Sequence, residues 1–183
     1  MLCSVPGSNI VSLPCEVEDN LYTSVFPDAI EGTFLNFDQT PVSDDRMEMG
    51  KDSVMVVHGG GKYGDKQKTL DRWCENFKRL PQAVQNRLVL ENCEKCFSIE
   101  DCIYVSKNVN IPIVFDTHHY TCYNLMHPDE TLKPESEYIE EILNSWERRC
   151  IKPKFHVSEQ GSGRCGHHSD YIEVIPDFLL EIP

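Results

Sequence analysis

Four times along the chain, a short apolar run is followed by a segment with helical spacing. The runs are SVMVVH (53–58), RLVLEN (87–92), IPIVFDTHH (111–119) and KPKFHVSE (152–159). Continuous apolar runs are typical of parallel strands covered on both faces, and parallel strands need helical crossovers between them. The pattern therefore predicts an α/β fold of about four βα units. Both a β/α (TIM) barrel and an open doubly wound sheet fit it.

The segments between the runs carry start and stop signals of helices. In 66–80, apolar residues recur every three or four positions and a proline follows as a stop. Ser98 has the character of an N-cap and predicts a helix over 98–109. Further along, we expect a loop over 120–134, a helix over 135–149, and a last helix that Pro176 starts or interrupts.

Each apolar run ends in side chains that can bind a metal ion. In a β/α barrel, the C-terminal ends of the strands form the active-site face. Nitrogen and oxygen donors without thiolate suit divalent Mn, Mg or Zn in catalytic sites. In chain order the residues are His58; Glu91; Asp116 with His118 and His119; and Lys154, His156 and Glu159.

These residues are informative as a set, because each alone has an ordinary explanation. A single strand-end histidine is usually a hydrogen-bonded loop residue, and a strand-end carboxylate is often a cap or turn acceptor. Four strand ends in register favour a shared metal site. Spacing leaves one choice open. An extended chain puts His118 on the face of Asp116, whereas an immediate helical turn puts His119 there.

The glycine-rich segment after the first run has two interpretations. The bare amides of Gly59, Gly60 and Gly61 could approach a phosphate. A flexible turn between strand and helix explains the same glycines equally well. The nucleotide P-loop pattern is absent, because Lys62 is followed by Tyr63 rather than by serine or threonine.

Composition limits the class of protein. The 183 residues suit one domain, with 1–45 predicted as an irregular leader. The nine scattered cysteines, including the CxxC at 93–96, favour reduced thiols inside the cell over a disulfide framework. The net charge of −13 argues against a nucleic-acid binder, which usually carries a basic face. Bound cations would offset part of that charge locally.

The ordered motifs HGGGKYGDKQKTLDRWCENFKRLP, RLVLENCEK, IPIVFDTHHY, KPKFHVSE and HHSDYI resemble the UV damage endonucleases. The resemblance runs over 46–183 and implies a metal-dependent β/α-barrel enzyme of DNA repair. Such an enzyme nicks the backbone immediately 5′ to a UV photoproduct, with a cluster of divalent ions, most often manganese. It implies UV-damaged double-stranded DNA as partner, a monomer away from membranes, and the nucleus or mitochondrion as the place of action in a eukaryote.

The family pattern also assigns roles to residues of this sequence. It implies metal ligation by His58, Glu91, Asp116, His119 and His156, with Glu91 in a bridging position. It implies catalytic roles for Lys154, near the metals, and His168, by the scissile phosphate. It places DNA contacts at Gly60, Gly61, Lys62, Tyr63 and His118, so that of the two adjacent histidines His119 binds metal.

The sequence departs from the family at both ends. No histidine precedes His58, although the family draws further metal-binding histidines from earlier strands, and a further glutamate ligand would lie beyond Pro183. We therefore expect an incomplete barrel with weak or absent incision activity. The alternatives are a non-catalytic fragment of such an enzyme and a metal-dependent barrel of the sugar isomerase type.

Overall fold

The computed structural model describes residues 50–182, and these form four βα units in succession. The predicted leader at 1–45 lies outside the described residues and stays a prediction. The strands are β1 (Met55–His58), β2 (Leu88–Glu91), β3 (Ile113–Asp116) and β4 (Phe155–His156). The helices are α1 (Lys66–Arg79), α2 (Gln82–Gln85), α3 (Ile99–Val109), α4 (Thr117–Met126), α5 (Ile139–Glu147) and α6 (Asp177–Leu180).

The strands form one parallel sheet in the order β1-β2-β3-β4. Its outer helices follow the same order, since α1 packs on α3 and α3 packs on α5. A strand order that matches the chain order is that of a β/α barrel, because a doubly wound sheet reverses direction at a switch point. His58 pairs with Glu91, and Asp116 pairs with His156, so β1 ends level with β2 and β3 ends level with β4. Glu91 pairs with Val114, so β3 and β4 end two residues beyond β1 and β2.

Local signals explain where the two long helices begin. At α1, the Asp65 side chain accepts a hydrogen bond from the Lys68 amide at 3.1 Å. At α3, Ser98 and Asp101 form a reciprocal capping box, which satisfies two helix N–H groups that would otherwise lack partners. The predicted N-cap at Ser98 is therefore confirmed.

One hydrophobic core lies between the sheet and its helices. Strands β2 and β3 are buried along their whole length, as their unbroken apolar sequences predict. The helices contribute buried aromatic and aliphatic side chains from the stripes seen in the sequence, namely Leu70, Trp73, Phe77, Ile142 and Trp146.

The loop predicted over 120–134 is wrong in its first half, because residues 117–126 form α4. The Asp116 side chain caps this helix by accepting a hydrogen bond from the His119 amide. The buried face of the helix consists of threonine, histidine, cysteine and tyrosine, so it lacks the aliphatic spacing that marks amphipathic helices.

The strand predicted over 152–159 is also shorter in the structure, where β4 is Phe155–His156. The cause lies in β3, whose first residue bonds with its amide and carbonyl to α5 and not to β4. The Ile113 amide donates to Ser145 Oγ at 3.0 Å, and the Trp146 indole donates to the Ile113 carbonyl at 2.6 Å. Strand β4 therefore pairs with the last two residues of β3 only.

The later helices differ from the sequence-based expectation in detail. The helix predicted over 135–149 begins as a 3-10 turn, Glu135–Tyr138, and becomes α-helical over Ile139–Glu147. Pro176 precedes the short helix α6 and thus starts it, one of the two expected outcomes. Within residues 50–182, no helix is both long enough and apolar enough to cross a membrane.

Candidate metal centre

Glu91 is the last residue of β2, and each of its carboxylate oxygens forms a hydrogen bond with a different histidine. Oε2 lies 3.0 Å from Nε2 of His58, and Oε1 lies 2.7 Å from Nδ1 of His156. All three residues lie at the C-terminal ends of parallel strands, which meet at the same edge of the sheet and so bring the side chains together. A carboxylate with both oxygens facing separate imidazoles can bridge two cations.

Asp116 and His119 complete the cluster from the end of β3. The cap on the His119 amide turns the chain directly into α4, so His119 folds back toward the strand ends. Its Nδ1 lies 3.7 Å from Glu91 Oε1 and 3.8 Å from Asp116 Oδ2. Of the two alternatives that spacing left open, the structure has the immediate helical turn, and it brings His119 rather than His118 to the carboxylates.

Two groups of three side chains each place one possible ligand atom per residue within 4.8 Å of the others. The first group is His58, Glu91 and His119, and the second is Glu91, Asp116 and His156. They share Glu91, and all donors are imidazole nitrogens or carboxylate oxygens. Such a donor set suits a divalent cation of the Mn, Mg or Zn type.

Burial and charge set the protonation states at the centre. Burial alone would raise the pKa of Glu91, but its hydrogen bonds with His156 and His58 lower that pKa to about 2. For His58, burial disfavours the charged form, and the bond and charge of Glu91 more than offset this, so the pKa is raised. The pKa of His156 is raised by the same balance. Both shifts favour the protonated histidines beside the ionised Glu91 carboxylate when no metal is bound.

Asn92, directly after β2, is a buried residue that sequence reasoning did not select. Its Oδ1 accepts from the Asp116 amide at 2.9 Å, and its Nδ2 donates to the Asp116 carbonyl at 3.0 Å. Its own backbone carbonyl lies 3.0 Å from Nδ1 of His119. The available signal was weak, because it consisted of one polar residue after a fully apolar strand.

His118 and His168 lie beside the cluster. The His168 ring is 5.3 Å from the His118 ring and 5.6 Å from the His119 ring, between centroids. Burial lowers the pKa of His118, and Cys122 Sγ lies 3.6 Å from its Nε2. The structure thus places His168, an exposed loop residue, next to the candidate ligand His119. Its role by the scissile phosphate stays a prediction.

Lys154 and Glu159 make contacts elsewhere. The Lys154 ammonium lies 5.2 Å from the centre of the Trp146 ring and donates to the Lys152 carbonyl at 3.4 Å. Glu159 Oε1 accepts hydrogen bonds from the amides of residues 173 and 174. The described contacts of these two side chains therefore do not include the carboxylates of the centre.

Two glycines of the glycine-rich loop, Gly59 and Gly60, are required by the structure of the turn. A Cβ on Gly59 would lie 2.7 Å from the Phe97 ring, and Gly60 has a φ of +83°. Lys62 and Tyr63 follow as exposed residues, and the Tyr63 ring centre is 5.4 Å from the Arg72 guanidinium carbon. These constraints account for the turn interpretation, while phosphate contact at Gly60, Gly61, Lys62 and Tyr63 stays a prediction.

Comparison with known proteins then identifies the family. The family model described as UV-endonuclease UvdE matches residues 42–183. This chain belongs to the UvdE family. The family assignment agrees with the ordered motifs and with the cluster at the strand ends.

Two UvdE relatives illustrate the extent of the similarity. The UV-damage endonuclease of Neurospora crassa is 41% identical over 119 residues, which cover 63% of this chain and 18% of the relative. The UV DNA damage endonuclease of Bacillus velezensis is 34% identical over 139 residues, which cover 75% of this chain and 41% of the relative. The chain therefore spans less than half the length of these relatives.

A solved UvdE structure agrees with the fold. The crystal structure of SacUVDE superposes with a TM-score of 0.70 at 25% identity, over 81% of this chain and 48% of that one. The predicted fold class, an incomplete β/α (TIM) barrel of about four βα units, is confirmed.

Proposed function

We propose that this chain is a metal-dependent DNA repair endonuclease that nicks the backbone 5′ to UV photoproducts. The observation that carries the proposal is the Glu91 carboxylate held between His58 and His156 in a chain of the UvdE family. The same resemblance supports a monomer acting on double-stranded DNA, in the nucleus or mitochondrion of a eukaryote.

The residues present fit a pair of divalent ions, and manganese is the metal we propose. His58 and His119 would hold one ion, and Asp116 and His156 the other, with Glu91 between them. Three imidazoles among five donors favour manganese or zinc over magnesium, which prefers oxygen ligands. Bound ions of this kind activate water and stabilise a leaving oxygen in phosphodiester hydrolysis.

The protein's own side chains hold and orient the groups around this centre. Burial of Glu91 and Asp116 keeps the carboxylates in a fixed position with little water around them. His168 is exposed and lies beside His119, where it could contact the scissile phosphate. A catalytic role for Lys154 rests on the resemblance, and its side chain would have to leave Trp146 to fulfil it.

The DNA surface that we propose surrounds the exposed side of the centre. After His58 and Gly59 come Gly60, Gly61, Lys62 and Tyr63, and Tyr63 is 45% exposed. An exposed aromatic ring next to a lysine and glycine amides can contact an unstacked base and its phosphate. His118 would contact DNA from the adjacent α4.

Incision of UV-irradiated supercoiled plasmid with manganese tests the proposal. We expect weak nicking, confined to irradiated plasmid, and its loss with EDTA, in Glu91→Gln and in His119→Ala. Glu141→Gln is the matched control, because Glu141 is exposed and pairs with Lys107 on the helix surface. A duplex with one photoproduct at a known position then locates the nick relative to the lesion.

Two outcomes would contradict the proposal. Equal nicking by Glu91→Gln and Glu141→Gln would remove Glu91 from the site. Calorimetry that detects no manganese binding to the wild-type chain would refute the metal centre itself.

A further inference from the structure

Asn92 continues the pairing of β2 with β3 after β2 has ended. The ladder pairs Leu90 with Ile113 and Glu91 with Val114. At the next position, the Asn92 side chain bonds both the amide and the carbonyl of Asp116, at 2.9 and 3.0 Å. A side-chain amide has the donor and acceptor of a peptide group, so it replaces one rung of the ladder. It anchors the backbone of Asp116.

The backbone carbonyl of Asn92 determines which nitrogen of His119 carries a proton. A carbonyl oxygen can only accept, so at 3.0 Å the facing Nδ1 is the protonated nitrogen. The neutral imidazole then has its lone pair on Nε2. Metal-binding histidines usually donate their other ring N–H to a carbonyl or carboxylate in this way, which fixes the ring orientation and the tautomer.

From these contacts we infer that Asn92 is a positioning residue for the centre: its side chain holds Asp116, and its carbonyl holds His119 as the Nδ1–H tautomer that offers Nε2 to the metal. The inference rests on the metal centre of the proposed function. It assigns Asn92 no contact with metal or substrate.

Burial makes the side-chain interaction specific to asparagine. Asn92 is 1% exposed, so water cannot replace a lost hydrogen bond. In Asn92→Asp, an oxygen would replace Nδ2 and face the Asp116 carbonyl without a hydrogen, although the size is unchanged. In Asn92→Ala, both bonds to Asp116 disappear.

Metal affinity, compared with stability, tests this role. We expect Asn92→Asp and Asn92→Ala, which lose hydrogen bonds to Asp116, to bind manganese about 10- to 100-fold more weakly in calorimetry, the range found when hydrogen-bond partners of metal ligands are removed. Asn86→Ala is the matched control, since Asn86 is exposed and, within residues 50–182, its hydrogen bonds go to Gln82 and helix α2. Wild-type affinity in a folded Asn92→Asp variant would overturn the inference.

A second measurement needs no Asn92 variant and would not respond to a purely structural role. In the zinc-loaded wild-type chain labelled with ¹⁵N-histidine, NMR should show His119 protonated at Nδ1 and not at Nε2, with His119→Gln providing the assignment. Protonation at Nε2 would overturn the inference. If the wild-type chain binds no metal, the proposed function fails; if it binds metal and only the Asn92 results differ, the inference alone fails.

Discussion

Oε1 of Glu91 lies 2.7 Å from Nδ1 of His156, although the two residues are 65 positions apart and their strands are not neighbours. Strand β3 lies between β2 and β4, so the two side chains meet across it at the C-terminal edge of the sheet. His58 reaches the same carboxylate from β1 on the other side. The Glu91 carboxylate of β2 therefore joins side chains from β1 and β4.

The metal-free chain should be most stable between about pH 4.5 and 6.5. Glu91 has its pKa lowered from 4.5 to about 2, so its contribution is complete above 4.5 and is lost as the pH falls toward 2. His58 and His156 have raised pKa values, so their contribution is complete below 6.5 and is lost as the pH rises through those values.

Thermal melts in EDTA across this pH range measure the effect. The interaction of Glu91 with the two histidines contributes on the order of 3 kcal/mol, from the size of the pKa shift. Glu91→Gln should flatten the profile, whereas the surface variant Glu141→Gln should leave it unchanged. A wild-type profile that keeps rising from pH 5 to pH 8 would contradict this prediction.

Metal binding should release protons and strengthen with pH. His58 and His156 hold protons above their ordinary pKa of 6.5 when Glu91 is their partner, and a metal needs their lone pairs. We expect manganese affinity to rise by up to about tenfold per pH unit for each proton displaced. Calorimetry in buffers with different ionisation enthalpies counts these protons, and a count of zero would refute the idea.

Gly59→Ala should destabilise the protein by about 1–3 kcal/mol, the usual range for an added methyl group in a packed site. The new Cβ would lie 2.7 Å from the Phe97 ring and would push the end of β1 away from the β2–α3 loop. Gly50→Ala is the control, since a methyl group added there would meet no other atom within 4 Å. Urea unfolding of both variants measures the effect. Equal urea midpoints for Gly59→Ala and Gly50→Ala would contradict the prediction.

Cys122 should resist alkylation in the folded protein. Burial, followed by its hydrogen bond with Cys165, raises the pKa of Cys122 to about 12. At pH 8 only about one molecule in ten thousand then carries the reactive thiolate. Peptide mass spectrometry after iodoacetamide treatment should find Cys150, which is exposed, modified long before Cys122. In guanidinium chloride the two should react alike.

The ends of the strands could be predicted because a run of apolar residues indicates a buried strand and the first polar residue after the run indicates its end. His58, Glu91, Asp116 and His156 each end a strand in the structure, as their position after an apolar run suggested. The choice between adjacent histidines could not be made from spacing. It depends on the backbone turn that the Asp116 cap imposes, and that cap gives no periodic signal.

Other features depended on contacts between distant residues. The strand predicted over 152–159 would have put Lys154 on the same face as His156, whereas β4 holds two residues and Lys154 precedes it. Its side chain contacts Trp146 instead. Asn92 acts through backbone groups 24 positions away, and no local pattern marks such a partnership.

The distribution of the candidate ligands over four successive strands has a consequence for biosynthesis. A ribosome makes His58 first and His156 last, so the nascent chain presents an incomplete set of donors during most of its synthesis. Domains begin to fold while translation proceeds. The metal ion should therefore bind late in synthesis, after β4 has docked beside β3. Its identity should depend on which ions are available in the cell at that stage.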